Sequence, residues 1–296
     1  MTTPVAPEES DSPRDGDAAE SSIQVRELLE SDSDAIVGLL TRGFWDRSPK
    51  YWRRALQCLR DRALPGDYPR FGYGLTDSGV LVGVLLLIFS RADDGSIRAN
   101  VSSWYVEPRN RLYSNLLLAR ALKRSDVTFV NISPTRQTFK TIEAQGFVRY
   151  VEGTMLALAA LCPFRPGAEI TPVAPSFAED ASVAAKHAAL GCLAYEVAYR
   201  GEAHPFIFLP RVSHRSGVKF VQLVYCRDVA DFVRFAGPLG RTLLRSGFCF
   251  VILDAVGRVK GLPGRYLAGQ KVKHYRGPAK PRLGDLSETE LVWFGP

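Results

Sequence analysis

The segment WYVEPRNRLYSNLLLARALKR, residues 104–124, decides how the rest of the chain is interpreted. It opens with the strand-like residues Trp104 to Val106, passes through Pro108 and two arginines, and continues with apolar residues at helical spacing. The N terminus of a helix offers main-chain N–H groups and a favourable dipole to an anion, so a basic turn between a strand and a helix predicts a phosphate site. Such turns are usually built on glycine, and this one contains none.

Regular patterns surround this segment from Ile23 to about residue 160 and predict the element order β–α–α–β–β–β–α–β–α–β. Ser31 or Asp32 is a suitable N-cap for the first helix, and Pro49 fits the first turn of the second helix. A helix is predicted from Leu112 to Lys123. Another, TRQTFKTIEAQ, ends before Gly146, the residue that a left-handed C-cap favours.

The second half of the chain resembles the first. Strand-like VKFVQLVY matches IRANVSSWY, and FCFVIL matches VTFVNI, with offsets of about 120 residues that predict an internal duplication. The predicted organisation is a disordered acidic tail (1–22), a first domain (23–161), a Pro-rich connector (162–180) and a second, divergent domain (181–296).

Composition restricts the function classes. The net charge is +7 although the first 22 residues carry six acids and one arginine, so the remainder, at about +12, favours an anionic partner or a solvated basic surface. No apolar run reaches the ~20 residues of a membrane span, and no secretory signal is recognised, so a cytoplasmic location is expected. The five cysteines and four histidines show no metal-ligand spacing, so no metal is expected.

The strand order, the Val106-x-Pro108 step that leads through Arg111 into a helix, and the later E-A-Q-G-F ending at Glu143 to Phe147 resemble the Gcn5-related N-acetyltransferase (GNAT) superfamily over about residues 23–160. The resemblance implies an α/β (α+β) fold. With the duplication, it implies two GNAT-like domains, each a mixed central sheet flanked by helices.

The resemblance also implies a co-substrate, acetyl-CoA or another acyl-CoA. In the family the turn carries [QR]-x-x-G-x-[GA], whose main-chain amides hold the pyrophosphate of coenzyme A. Arg111 falls on the first position of that motif, and Ser114 and Leu116 replace the two glycines. The predicted coenzyme-binding residues are Val106, Arg109, Arg111, Leu112, Tyr113, Ser114, Asn115 and Leu116. The alternative is a relic of the turn in which Tyr113 and Leu116 pack into the fold and the arginines face solvent.

Catalysis in this family requires a group that accepts the proton of the acceptor and a group, often a tyrosine, that protonates the leaving thiolate. The predicted catalytic residues are Tyr105, Glu107 and Tyr113. The tyrosine that the family often has before its G-F ending aligns with Ile142, so Tyr113 or Tyr150 would have to replace it.

The function that the resemblance implies is transfer of an acyl group from the thioester directly to an amine or hydroxyl of a small-molecule or peptide acceptor. The alternative is a non-catalytic GNAT-like acyl-CoA-binding or regulatory module. Binding of nucleic acid through the basic surface has no supporting motif. A competing phosphate turn, RFAGPLGRTLL with Arg234, Gly237 and Gly240, leaves open which half is active. The oligomeric state is not predicted.

Overall fold

The computed structural model describes residues 22–178, 181–213 and 215–295, so nearly all of the acidic segment predicted as a disordered tail lies outside the described residues. The strands are β1 Ile23–Glu27, β2 Gly72–Asp77, β3 Val80–Arg91, β4 Ile97–Val106, β5 Val127–Asn131, β6 Val148–Ala157, β7 Glu169–Pro172, β8 Leu193–Tyr199, β9 Glu202–Val212, β10 Lys219–Cys226, β11 Val251–Ala255 and β12 Gly264–Arg276. The α-helices are α1 Ser33–Gly43, α2 Pro49–Asp61, α3 Ser114–Ala121, α4 Phe139–Ala144, α5 Val183–Ala189, α6 Val229–Arg245 and α7 Glu290–Trp293.

All twelve strands form one mixed sheet in the order β1-β2-β3-β4-β5-β12-β6-β11-β10-β9-β8-β7. Two strand pairs are parallel, β4 with β5 and β10 with β11, and each occupies the same place in its half of the chain. The predicted mixed α/β architecture and the predicted order of elements in the first half are therefore confirmed.

The last long strand of each half crosses into the other half. Strand β6 ends the first half and pairs with β11 of the second, whereas β12 of the second half pairs with β5 of the first. The two crossing strands also pair with each other at the middle of the sheet. Because each half completes its sheet with a strand from the other, the two halves share one continuous hydrogen-bonded ladder.

Helices cover both faces of the first half, which explains why β3 is apolar along most of its length rather than alternating. On one face Val84, Leu86 and Ile88 pack against α1 and α2. On the other face Leu85, Leu87 and Phe89 pack in the cluster that includes the apolar residues of α3 and α4. In the second half, α6 and α5 belong to separate clusters on the two faces of the sheet.

The segment predicted as a connector, 162–180, contains β7, which pairs with β8 as the edge strand of the second half. The predicted limits of the two domains stay a prediction, since strand exchange makes each half depend on the other for its sheet. Within the described part of the chain, no helix is both long enough and apolar enough to span a membrane.

The chain after β12 returns to the first half. Asp285 forms a buried ion pair with Arg98 of β4, with Nη1 and Oδ2 3.0 Å apart. Burial alone would raise the pKa of Asp285, but the charges of Arg98 and Arg282 outweigh it and hold the pKa below its usual value. Farther along, Phe294 is buried in the cluster formed by α1 and α2. The C-terminal segment, residues 277–295, thus makes buried contacts with the first half.

Candidate functional site

A cavity of about 390 Å³ lies where the parallel strands β4 and β5 separate. The two strands are in register from Ile97 with Val127 to Asn100 with Val130. Beyond these pairs β4 continues to Val106, and the space between the strand ends is lined by the end of β4, the following turn, the polar segment after β5 and Glu290. We call this cavity the strand cleft.

A β-bulge shapes one wall of the strand cleft. Leu87 pairs with Val101 and Leu85 with Trp104, so Ser102 and Ser103 lie opposite a single residue of β3. Both serines line the cleft. A bulge redirects the main chain and increases the local twist, which is a common device beside a binding site.

Glu290 reaches the strand cleft from α7, at the other end of the chain. Its carboxylate accepts hydrogen bonds from the Ser133 hydroxyl, at 2.6 Å, and from the Asn100 amide. Asn100 belongs to the last paired position of β4 and Ser133 follows β5, so the carboxylate lies at the point where the strands separate. Among the described residues that line the cleft, Glu290 is the only acid.

Burial raises the pKa of Glu290 above its ordinary value, although the hydrogen bonds from Ser133 and Asn100 act in the opposite direction. Asn100 is completely buried, and its Oδ1 has no hydrogen-bond partner within the described residues. The amide therefore directs its N–H₂ group at Glu290 and leaves its oxygen without a protein donor.

The glycine-free turn after β4 is not an open loop. Residues Pro108–Tyr113 form a 3-10 helix that leads directly into α3. The N–H of Asn110 donates to the carbonyl of Glu107 at 2.9 Å, and the N–H of Ser114 donates to the carbonyl of Arg111. A 3-10 helix directs its N–H groups at carbonyls three residues earlier, so the amides of Asn110 and Ser114 are satisfied within the turn. The predicted helix Leu112–Lys123 is correspondingly shorter, Ser114–Ala121.

The structure brings three of the predicted coenzyme-binding residues to the strand cleft, namely Val106, Arg111 and Ser114. The others lie outside its lining: Arg109 is 3.4 Å from the Glu107 carboxylate, and Asn115 accepts a hydrogen bond from Gln145 at 3.0 Å. The remaining three have side chains exposed to solvent, 91% for Leu112, 40% for Tyr113 and 46% for Leu116.

These exposures do not match the alternative in which Tyr113 and Leu116 pack into the fold. The buried residues of α3 are instead Leu117, Leu118 and Ala121. The side chain of Leu116, which stands where the family motif has its second glycine, points to solvent and does not enter the core. The binding roles of the turn residues stay a prediction.

Of the predicted catalytic residues, only Tyr105 lines the strand cleft. Its ring packs on the last residue of α1, Gly43. Glu107 is engaged elsewhere, since its Oε1 lies 2.8 Å from Arg42 Nη2 and its Oε2 lies 3.4 Å from Arg109. Tyr113 is outside the cleft lining.

Ile142, which aligns with the tyrosine of the family, does not line the strand cleft, and neither does its suggested replacement Tyr150. Ile142 is fully buried in the first-half core. Tyr150 is buried on β6 in edge-to-face contact with Tyr275, and burial raises its pKa well above the ordinary value. Hydroxyls of serine and threonine are the groups that line the cleft beside α4, at Ser133, Thr135, Thr138 and Thr141.

The equivalent space of the second half is filled. Strands β10 and β11 are in register only at Val221 with Val251 and Gln222 with Ile252. The end of β10 instead bonds to the C-terminal segment: the N–H of Leu286 donates to the Val224 carbonyl at 2.7 Å, and the N–H of Cys226 donates to the Gly284 carbonyl at 2.9 Å. Because β9 occupies the other edge of β10, residues 284–286 lie on the side of β11.

The prediction of a phosphate-binding turn at RFAGPLGRTLL in the second half is wrong, because this segment lies within helix α6. Gly237 and Gly240 lie inside α6 and are buried. A Cβ on Gly237 would lie 2.0 Å from the Pro163 carbonyl oxygen, and a Cβ on Gly240 would lie 2.3 Å from the Ala160 nitrogen. These glycines let α6 approach residues 159–163 closely, which is a packing role.

No protein-family model matches the sequence, and no curated protein matches it. Solved structures share its fold. A GCN5-related N-acetyltransferase from Anabaena variabilis aligns over 86% of this chain and 72% of its own, with a TM-score of 0.61 and 9% identity. A GCN5-related N-acetyltransferase from Kribbella flavida aligns over 88% of this chain and 72% of its own, with a TM-score of 0.55 and 13% identity.

A third match is a GCN5-related glucosamine N-acetyltransferase region in a fungal multi-domain β-N-acetylglucosaminidase, with a TM-score of 0.54 and 12% identity. It covers 88% of this chain and 39% of that protein. The predicted GNAT fold is therefore confirmed, as an arrangement of elements shared at low sequence identity.

The packing of Tyr105 on Gly43 generates a stability prediction. In Gly43→Ala the new Cβ would lie 2.3–2.8 Å from three ring atoms of Tyr105, so the ring must move, and we expect a loss of about 1–3 kcal/mol in the free energy of unfolding. Gly38→Ala in the same helix is the control: its Cβ meets only Arg42 at 3.5 Å, and we expect a gain of about 0.5–1 kcal/mol. Urea denaturation measures both, and equal or higher stability of Gly43→Ala would contradict the packing.

Proposed function

We propose that the chain is an acyl-CoA-dependent N- or O-acyltransferase that binds the thioester in the strand cleft of its first half. The observation that carries the proposal is the contrast between the two halves: the strands of the first half separate around an open cavity, whereas residues 284–286 occupy the equivalent space in the second. The GNAT fold of the chain supports the same reaction class.

The strand cleft suits a thioester arm in size and chemistry. A volume of about 390 Å³ falls within the range of ~300–1,000 Å³ that is typical of small-molecule sites. Arg111 lines the cleft near the turn and would bind a phosphate group, while Ser114 at the start of α3 would donate its hydroxyl. The bulged main chain at Ser102 and Ser103 is the part of β4 that would polarise the thioester carbonyl.

Glu290 is the group we propose as the general base. It is the single carboxylate lining the cleft in the described residues, and the side chains of Asn100 in β4 and Ser133 after β5 hold it in place. An amine arrives at neutral pH as an ammonium ion and must lose a proton before it can attack, and a carboxylate with a raised pKa is a better proton acceptor than an ordinary one.

The reaction would proceed in a single displacement. The acceptor nitrogen or oxygen forms a bond to the thioester carbon, its proton passes to Glu290, and the carbon–sulfur bond breaks. The departing thiolate takes a proton from a hydroxyl of the cleft, for which Tyr105 is the candidate because it lines the wall at the end of β4. The products are the acylated acceptor and free coenzyme A.

A second candidate function is an acyl-CoA-binding module without catalysis. The 3-10 helix after β4 favours it, because that helix uses main-chain N–H groups that the family motif offers to pyrophosphate. The two functions differ in turnover and share the binding site, so binding and activity are tested separately.

Binding is tested with Arg111→Ala. Acetyl-CoA and a long-chain acyl-CoA should each raise the thermal midpoint of the wild-type chain, because a ligand of the native state alone stabilises that state. Arg111→Ala should weaken the apparent affinity about tenfold through loss of one phosphate contact of about 1.5 kcal/mol. Arg53→Ala removes an equal charge from the exposed surface of α2 and should leave binding unchanged. A wild-type chain that no acyl-CoA stabilises would exclude both functions.

Catalysis is tested with Glu290→Gln, which keeps the shape and removes the base. We expect kcat/KM with acetyl-CoA and an amine panel to fall about 100-fold or more while acetyl-CoA affinity stays within about twofold. Wild-type kcat/KM should decrease as the pH falls through the raised pKa of Glu290, where the base becomes protonated, and the variant should lose that dependence. Glu288→Gln is the matched control, since Glu288 accepts a hydrogen bond from Trp293 instead. Turnover by Glu290→Gln at the wild-type rate would show that another group takes the proton.

A further inference from the structure

A second cavity, of about 750 Å³, is lined by residues of both halves of the chain. One wall is the loop between α1 and α2, at Asp46 and Arg47. The opposite wall is the end of the β9–β10 hairpin, at Arg211 and Lys219, together with Phe248. We call this cavity the cationic groove, because three of its side chains carry a positive charge and one carries a negative charge.

The positive charges of the cationic groove are poorly compensated. The single acid, Asp46, is the chain neighbour of Arg47, and Asp46 Oδ2 lies 3.7 Å from Arg47 Nε. Within the described residues neither Arg211 nor Lys219 has an ion-pair partner. Burial lowers the pKa of Arg211, and the nearby charge of Arg47 lowers it further. Three cations that face each other across a groove with a single acid leave a net positive charge, which favours binding of an anion.

The same effect extends to Lys271 in the bulge of β12. Burial lowers the pKa of Lys271, and the charges of Lys273 and Arg211 add to this effect. Lys273 is paired with Asp254, with Nζ and Oδ1 2.8 Å apart, and the charge of Asp254 partly opposes the lowering at Lys271.

The cationic groove and the strand cleft share one loop. Phe44 lines the strand cleft, and two residues later Asp46 and Arg47 line the groove. The guanidinium of Arg47 lies over the ring of Tyr51, 4.6 Å from its centre. Burial raises the pKa of Tyr51, the charge of Glu290 adds to this rise, and the charges of Arg47 and Arg211 oppose it. Tyr51 lies in the first turn of α2, directly after the loop that lines both cavities.

We propose that the cationic groove binds the anionic end of the acceptor, a phosphate or carboxylate, while the nucleophilic end of the same molecule reaches Glu290. The acceptor class is then an amine or alcohol that carries an oxyanion at its other end. This assignment rests on the proposed function, since it takes the strand cleft as the place of acyl transfer. Arg47 and Arg211 have the planar donor groups that bind phosphate and carboxylate oxygens in pairs.

The test is equilibrium dialysis of radiolabelled inorganic phosphate against the full chain at constant ionic strength, with and without saturating coenzyme A. Phosphate should bind the wild-type chain equally well in both conditions, because coenzyme A occupies the strand cleft and leaves the groove free. Arg211→Gln and Arg47→Gln, on opposite walls, should each weaken phosphate binding about tenfold or more. In a competition experiment, unlabelled acetate and unlabelled phosphate are each added to displace the radiolabelled phosphate. Displacement by acetate indicates a site that also binds carboxylates, and displacement by phosphate alone indicates a phosphate site.

Arg265→Gln is the matched control, because Arg265 is an exposed arginine of β12 outside the groove lining. It should bind phosphate as the wild-type chain does, and thermal unfolding without ligand shows that each variant is folded. Equal weakening in Arg265→Gln would mean attraction by overall charge only and would overturn the site.

Two further outcomes would overturn the acceptor assignment. If coenzyme A displaces phosphate, the groove holds the coenzyme's own phosphates. If phosphate binds but calorimetry detects no binding of coenzyme A, the proposed function fails while the groove remains an anion site, so the two failures are distinguishable.

Discussion

Two main-chain hydrogen bonds join the end of β10 to residues 284–286 and close the space beside β11 in the second half. The C-terminal segment occupies that space, and its residues Leu286 and Ser287 are buried. The same segment is held on the first half by the buried ion pair between Arg98 and Asp285. A few residues later it places Glu290 in the strand cleft. One stretch of chain thus closes the space beside β11 and contributes an acid to the strand cleft.

The exchange of β6 and β12 joins the two halves in one sheet. Each half needs a strand of the other to complete its sheet, and the two exchanged strands pair with each other at the centre. In the second half the long helix α6 follows β10, and its buried glycines pack on residues 159–163.

Much of the fold follows from local patterns in the sequence. The strands of the first half, the Pro49 start of α2 and the left-handed Gly146 at the end of α4 agree with the structure because each depends on neighbouring residues. The RFAGPLG segment misleads because glycines before a turn and glycines in a packed helix have the same local appearance. Glu290 has no local signal at all, since its partner Asn100 lies 190 residues earlier and only the return of the chain brings them together.

Hydrogen–deuterium exchange of the full chain, with and without saturating coenzyme A, tests most directly whether the open cleft of the first half is the coenzyme site. We expect slower exchange at residues 102–116 and 131–141, on the two walls of the strand cleft, and no change at residues 222–232 and 251–257 of the second half. Protection confined to the second half, or the absence of protection in both halves, would contradict the account.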